Sequence, residues 1–572
     1  MRAERGRVTF KATVDGQDPG NFDRIYVSTR SGAIYAYRLA LDPGTQTFVQ
    51  TNYSTLDPDA ALTGPVNGTY TITVDGAGTD GATPARYYFR VQNPDGVCVG
   101  LGGDFPSAPK PLLVSDQACV NCHGSSGQGM HNGDPMSAQV CTVCHDASNV
   151  VEGKGVFVTL IHGIHNAHNM PGGEFEFDAT HVYETTYPTY MTNCSVCHDS
   201  DATQAAANSM PVSYEGCLTC HGSMAGFGFE AGNFHLNADA TVVCTNCHQA
   251  PLLPATVADF HNGLETERVG IIWDGEDKSV TEGERFTWKI DNIVDDGTNL
   301  KISWSATFDG NPINPCNTTA SATTPIIYPY APNTAGEGTA GMLRSYVQGD
   351  DYVLGKDSGP GQAITTNLTT ANTVCAGTVA TTTIPVDTGV PAGTRGVVAL
   401  VGKWQVPVPD GFADSLHAAD WPYTLQFVRV PSPTEEWIVG SSGIVPKVDQ
   451  RREIADTGAC LKCHVGSLYQ HGNTRVDNVT MCVMCHNSAS SDQNNRVTMG
   501  VDQTEAYDGL VGQTYELKSW LHTLHTVGLE EPTIKNPIII YRTRGIFAWA
   551  PEGVTPPNWA GTACAVASPI PP

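Results

Sequence analysis

Two textures alternate along the chain. In residues 1–113, Tyr70–Val74 and Tyr87–Val91 place bulky residues at every second position, bounded by clusters of Gly, Asp, Asn and Pro. That period predicts strands with one buried face. The signature returns in residues 265–452, in Phe286–Ile290, Ile302–Phe308 and Tyr423–Val430. Antiparallel barrels or sandwiches are expected there, since alternate residues of such strands face one core. Residues 114–264 and 453–572 have few long apolar periods. Their exceptions are Val156–Ile164 and Leu517–Val527, where apolar residues and histidines recur at helical spacing. Short helices and irregular loops are expected elsewhere in these regions. The most apolar runs, Gly396–Val401 and Ile538–Tyr541, are strand-sized, and none reaches the roughly 18–20 residues that cross a bilayer.

Composition narrows the class. The chain has 572 residues, which allows three to five domains, and the alternating texture selects four: 1–113, 114–264, 265–452 and 453–572. Charged residues make up only 16%, with 59 Gly and 37 Pro, which fits a loop-rich globular chain and excludes a coiled coil or a charged disordered chain. The net charge of −27 argues against nucleic-acid binding, which needs Lys and Arg on phosphates.

The cysteines carry the chemistry. Fourteen of the 18 fall into seven Cys-x-x-Cys-His motifs. The first five are Cys119, Cys122 and His123; Cys141, Cys144 and His145; Cys194, Cys197 and His198; Cys217, Cys220 and His221; and Cys244, Cys247 and His248. The last two are Cys460, Cys463 and His464, and Cys482, Cys485 and His486. This is the attachment signal of a c-type haem. Two thiols at this spacing form thioethers to the two vinyl groups of one haem, and the adjacent His becomes the proximal iron ligand. Zinc does not require a His directly after each pair. A thioredoxin-like motif would occur once, in a βαβ setting. A disulfide framework would not repeat identical pentapeptides. Seven covalent haems are therefore expected, and each large macrocycle would stand in for side-chain core.

Eleven histidines remain, so each iron can have a second imidazole. His162 with His165 and His522 with His525 form His-x-x-His pairs in the two helical stretches, and each pair could serve two neighbouring haems. His131, His235, His261 and His471 are further distal candidates, followed by His168 and His181; His417 reads as structural. Met130, Met170 and Met224 read as packing residues, because histidine is in surplus. Two imidazoles per iron leave no place for a substrate and favour lower potentials than Met/His ligation.

The haem region occurs twice. Cys119 to Cys141 and Cys460 to Cys482 both span 22 residues, at an offset of 341. His131 and His471 follow the first proximal His by eight and seven residues, and the His-x-x-His pairs follow at an offset of 360.

At this point the chain resembles the outer-surface decahaem c-type cytochromes of metal-reducing bacteria, the MtrC/OmcA type. The resemblance lies in Cys460–His464, His471-Gly-Asn-Thr-Arg475, Cys482–His486 with Asn487, and Leu521-His-Thr-Leu-His525. The first cluster matches through Cys119–His123, His131, Cys141–His145, Ile161-His-Gly-Ile-His165 and Thr186-Tyr-Pro188 before Cys194–His198. It is specific in the haem regions and architectural in the β regions. It implies two split β-barrels alternating with two pentahaem domains, and bis-His haems in a continuous chain. It also implies an extracellular protein docked on an outer-membrane porin–cytochrome complex, or fed by periplasmic cytochromes. Electrons would pass to metal oxides, soluble metals or flavins.

The chain departs from that family in three respects. The second haem region has two motifs, where the family has five. Only 47 residues follow His525, and Cys564 lies 39 residues beyond it within Cys-Ala-Val-Ala. A truncation or frameshift near there is expected, and further motifs in the downstream reading frame would show it. The N-terminus has no apolar signal-peptide core, although c-type attachment requires export. The family's closely spaced cysteine pair in the second β domain is absent. Cys316 and Cys375 instead share that domain 59 residues apart, as a possible disulfide, while Cys98 and Cys564 have no evident partner.

Three functions compete. An electron conduit needs crowded haems, and five motifs lie within Cys119–His248. A reductase of a small oxyanion needs one open iron, often marked by Lys in place of the final His, and no such variant occurs. An adhesion or scaffold role for the β domains would act beside electron transfer.

Overall fold

The period-two segments form antiparallel strands in the computed structural model. It describes residues 6–11, 21–29, 34–37, 39–42, 47–50, 61–66, 69–74, 85–92, 98–105, 113–124, 137–145, 154–185, 187–227, 232–250, 253–266, 270–319, 325–327, 340–349, 351–354, 361–407, 425–465, 468–471, 474–526, 538–542 and 545–549. The chain divides into two compact units, residues 1–187 with 193–260, and residues 188–192 with 261–572.

In the first unit, Thr69–Val74 lies between Gly6–Lys11 and Ala61–Val66. A four-stranded sheet runs Ile34–Tyr37, Asn21–Thr29, Ala85–Gln92 and Cys98–Phe105. Short helices and 3-10 turns then carry the first five motifs.

In the second unit, strand Asn299–Phe308 shows why the pattern works. Leu300, Ile302, Trp304, Ala306 and Phe308 are buried on one face, and the other face is more exposed. It pairs with Phe286–Asp295, which has an irregularity between Ile290 and Asn292, and with Val379–Pro385. A second sheet runs Asp351–Leu354, Gly341–Gln348, Arg395–Val401 and Thr434–Ile438, and a third runs Ile326–Ile327, Trp404–Pro407 and Leu425–Val428. Trp288, Trp304, Trp404 and Trp437 meet in the core that these sheets share. A disulfide joins Cys316 to Cys375, and both cysteines pack against that core.

The barrel expectation needs correction. Among the described residues every sheet is open, with two edges and no closing strand pair. The apolar faces are covered by stacking sheets on one another, so closure is not needed to bury them.

Strand Arg395–Val401 is buried on both faces. Val398 and Leu400 face the tryptophan core. Val397, Ala399 and Val401 face Met481, Val483 and Met484, on and just after the helix Val479–Val483 that carries the seventh motif. Polar contacts stitch the same seam. Asn487 Nδ2 donates to the carbonyls of Tyr352 and Gly361 (2.5 and 2.8 Å), Gly402 N donates to Thr474 O (2.9 Å), and Ser432 N donates to Val476 O (2.9 Å). Gly361 has φ +84°, and a Cβ there would lie 2.6 Å from Asn487 Oδ1.

Candidate haem-binding sites

Each motif is a helical turn. The His N–H donates to the carbonyl of the first Cys at His145, His198, His248, His464 and His486 (2.9–3.0 Å), while His123 and His221 end the helices Asp116–His123 and Tyr214–His221. Positions i, i+3 and i+4 of such a turn share a face, so both thiols and the imidazole point the same way. Five motifs start four residues after a capping-type residue: Ser115, Ser137, Ser213, Asp456 and Asn478. All but Ser137 accept a backbone N–H. This cap is a legible signal that the motif-level reading missed.

The imidazoles are oriented one nitrogen at a time. Nδ1–H of His145 donates to Gly155 O (2.9 Å), His198 to Leu113 O (2.6 Å), His248 to Pro254 O (3.1 Å) and His486 to Tyr515 O (2.8 Å). Among the distal candidates, His165 donates to Ile161 O (2.8 Å) and His525 to Leu521 O (2.7 Å). A carbonyl can only accept, so the ring proton sits on Nδ1 and the Nε2 lone pair is left for a metal. No acceptor is identifiable from the pentapeptide itself.

The structure also brings motif and distal histidines face to face. Ring centroids lie 5.9 Å apart for His123 and His165, 6.0 Å for His248 and His235, 6.1 Å for His464 and His525, and 6.0 Å for His486 and His471. A metal–imidazole bond of about 2.0 Å, plus about 1 Å from nitrogen to ring centre, puts two axial rings about 6 Å apart across one iron. The four pairs have the ring spacing that two imidazoles would need in order to hold one iron between them. His162 lies beside His198: burial first, then the neighbouring His198 and His165, lower its imidazole to about 4. His165 of Phe157–His165 thus faces the first motif, and His162 lies within electrostatic reach of His198 in the third.

The remaining candidates are placed by their elements. His221 ends its helix, His261 ends Val257–His261, and His522 lies on Leu517–Thr526. His168 is exposed in the turn Ala167–Asn169. His181 is exposed and held at Nδ1 by the Asp178 carboxylate (2.8 and 2.9 Å). His131, His417, Met130 and Cys564 lie outside the described residues, as do the side chains of Cys98 and Cys144.

The motif thiols suit covalent attachment better than metal-thiolate or dithiol chemistry. Cys119, Cys122, Cys141, Cys194, Cys197, Cys217, Cys220, Cys244, Cys247, Cys460, Cys463, Cys482 and Cys485 all stay out of disulfides. Burial first, then neighbouring thiols, push Cys119 and Cys194 up to about 11, and Cys220 and Cys482 up to about 12. A redox-active Cys-x-x-Cys pair has a lowered value instead. The motifs are not uniform in burial, as identical pentapeptides would suggest. Cys122, Cys197 and Cys247 are exposed, whereas Cys220, Cys463 and Cys482 are half-buried. Cys247 is exposed, at the end of the 3-10 turn Cys244–Asn246, and Cys463 is half-buried beyond the short helix Thr457–Leu461. Each donates its backbone N–H to the first Cys of its own motif, Cys247 to Cys244 O (3.1 Å) and Cys463 to Cys460 O (3.2 Å). Turn geometry, not a surrounding core, therefore presents these two thiols. Among the described residues, no three His, Cys, Asp or Glu side chains converge to hold a metal ion, at Cys247 and Cys463 or elsewhere. Nor is any helix among them long and apolar enough to cross a membrane.

The two haem regions share their internal wiring. Asp116 Oδ1 accepts the Ala138 N–H (3.0 Å), and at the same offset of 341 Thr457 Oγ1 accepts the Val479 N–H (3.1 Å). His165 and His525, 360 residues apart, face the first motif of their respective regions.

Residues 112–213 match the family described as "Outer membrane cytochrome MtrC/MtrF-like, domains II/IV". No curated protein matches the chain. Among solved structures, the chain is similar to the crystal structure of MtrC from Shewanella baltica OS185, at 15% identity and a TM-score of 0.53, covering 92% of this chain and 83% of that one. Residues 112–213 thus carry the sequence signature of an MtrC/MtrF-like cytochrome domain, and the chain shares the fold of the Shewanella baltica MtrC structure over most of its length.

Proposed function

We propose that the chain is an extracellular electron-transfer cytochrome holding seven c-type haems. In this reading residues 1–113 and 265–452 are β domains, and residues 114–264 and 453–572 bind haem. The haem iron supplies one-electron exchange between its ferric and ferrous states. The chain's own residues would do the rest: the paired thiols would anchor each haem, and a motif and a distal histidine would hold its iron. The carbonyl acceptors hold each imidazole in the tautomer that leaves Nε2 unprotonated. The carrying observation is the set of four motif–distal histidine pairs at about 6 Å, among whose members His165, His248, His486 and His525 have Nδ1 tied to a carbonyl.

The pairs are His123 with His165, His198 with His162, His248 with His235, His464 with His525 and His486 with His471. The repeat adds His145 with His131, and His168 and His181 are left for His221, with His261 a further distal candidate. Two protein imidazoles per iron would leave no place for a substrate. Electrons would arrive from a porin–cytochrome complex or periplasmic cytochromes and leave to metal oxides, soluble metals or flavins. The net charge of −27 favours encounter with cationic acceptors, an effect that salt weakens.

The test is an intact mass and a ferric spectrum of the exported full chain. Seven covalent haems, all low-spin, are expected. A dominant high-spin signal, or nitrite or sulfite turnover at one haem, would favour the oxyanion reductase instead.

A further inference from the structure

Tyr187 lies outside the Cys-x-x-Cys-His motifs, yet it touches two of the proposed haem sites. Its ring stands edge-on to the His165 imidazole, with centroids 5.6 Å apart and planes at 89°. Its hydroxyl lies 4.0 Å from the Sγ of Cys197 in the third motif. The thiols of Cys122 and Cys194 are also close enough to act on it electrostatically. We propose that Tyr187 is a positioning residue shared by the first and third haem sites: its ring sets the rotation of the His165 imidazole, and its hydroxyl steadies the Cys197 sulfur.

The division of labour follows from the contacts. His165 Nδ1–H is already committed to Ile161 O (2.8 Å), so its tautomer does not depend on Tyr187. One hydrogen bond to a carbonyl still lets an axial imidazole rock about the bond to iron. An aromatic edge against the ring face stops that rotation. The outcome is visible at the first site, where the His123 and His165 planes cross at 82°. At the seventh site the corresponding angle is 32°. Crossed axial imidazoles give low-spin ferric haem an electron paramagnetic resonance signal with a large maximal g value, and near-parallel ones give an ordinary rhombic signal. Only the first site and the sixth, at 87°, are near-perpendicular among the ring pairs described.

The inference rests on the haem reading, and the two can fail separately. Wild type, Y187F and Y187L are exported as full chains, and their haem content is counted. A low count or high-spin wild type refutes the haem reading without reference to Tyr187. With seven low-spin haems in each, Y187L is expected to lose one haem's worth of large-g intensity and gain it as rhombic signal. Y187F keeps the aromatic edge and is expected to retain that intensity, while one haem shifts its midpoint in a potentiometric titration. If Y187L loads too little haem, Y187M keeps most of the volume without a planar edge and carries the same test. Unchanged spectra in Y187L or Y187M overturn the proposal, as does equal loss of the large-g signal in Y187F.

Discussion

Gly163 sits between the two histidines of Phe157–His165, and replacing it by alanine sets two effects of opposite sign against each other. In an exposed helix Gly→Ala gains about 0.8–1 kcal/mol. Here the added Cβ would lie 2.2, 2.5 and 2.7 Å from Cε2, Cδ2 and Cζ of Phe175. Ordinary carbon contact is about 3.5–4.0 Å, so ring or helix must yield by about 1.3 Å or more. The Phe175 ring cannot retreat freely, being buried with Ala167 and Met170 beside Tyr183. Overpacking of this kind costs about 1–3 kcal/mol, and a conflict with three ring atoms belongs at the upper end. A net loss of about 1–2 kcal/mol is expected for Gly163→Ala. Hydrogen exchange of the peptide spanning residues 157–165 measures it as faster local opening. Phe175→Leu removes two of the three clashing atoms, Cε2 and Cζ, so the double variant should recover at least half the loss, a coupling of about 1 kcal/mol in a double-mutant cycle. Slower exchange in Gly163→Ala, or strict additivity with Phe175→Leu, would refute the reasoning.

Arg496 is 1% exposed and spends its donors on Asp492, Asp508 and the carbonyls of Leu510 and Ile539. Arg496→Met strands two buried carboxylates and should cost about 3–5 kcal/mol, read as lost exchange protection in Gln493–Met499. Asp387 tests acid stability: burial alone would raise its carboxyl, but the two-pronged Arg344 contact and the Tyr346 hydroxyl outweigh that and hold it below the ordinary range. Its folded value lies below the unfolded one of about 3.9, so its contribution is whole above that pH and is lost as pH falls through the folded value. Asp387→Asn should flatten that acid-side loss in urea midpoints taken between pH 5 and pH 2, and an unchanged slope would count against it. Replacing Cys316 and Cys375 by serine releases a 59-residue loop and should cost about 4 kcal/mol, whereas equal midpoints with and without the bond would show that the loop is already constrained in the unfolded chain.

What the sequence made legible follows the range of the interaction. The Cys-x-x-Cys-His turns, the two His-x-x-His helices and the strand Asn299–Phe308 are local patterns with one geometric solution each. The pairing of His235 with His248 was not legible, nor the choice of Tyr515 as acceptor for His486, because nothing local marks which residue folding brings opposite. The exposure of Cys247 was equally hidden, since its pentapeptide matches that of the half-buried Cys220 in every position the motif names. The choice between barrels and sandwiches was not legible for the same reason, and the described sheets are open. Alternation reports that one face is buried, not what covers it. The run Gly396–Val401 looked like an ordinary core strand. Its second buried face turns out to seat Met481, Val483 and Met484 beside the seventh motif, a partner that its own residues could not announce.

The repeat supplies what local pattern cannot, because the same wiring has been traced twice. The link from residue 116 to 138 recurs from 457 to 479, and His165 and His525 take the same role. If wiring is inherited, His131 should do for His145 what His471 does for His486. The structure shows the second relation, with rings 6.0 Å apart and planes at 32°. His131 lies outside the described residues, so the first relation is a prediction. His131→Ala and His471→Ala should each convert one low-spin haem to high-spin, and His471→Ala should remove rhombic intensity, as its near-parallel planes require. The two variants together should convert two haems, since each serves a different iron. His131→Ala with every haem still low-spin would show that the surplus histidines, His168 or His181, had taken the second site. The repeat would then have preserved the positions of the motifs without preserving their partners.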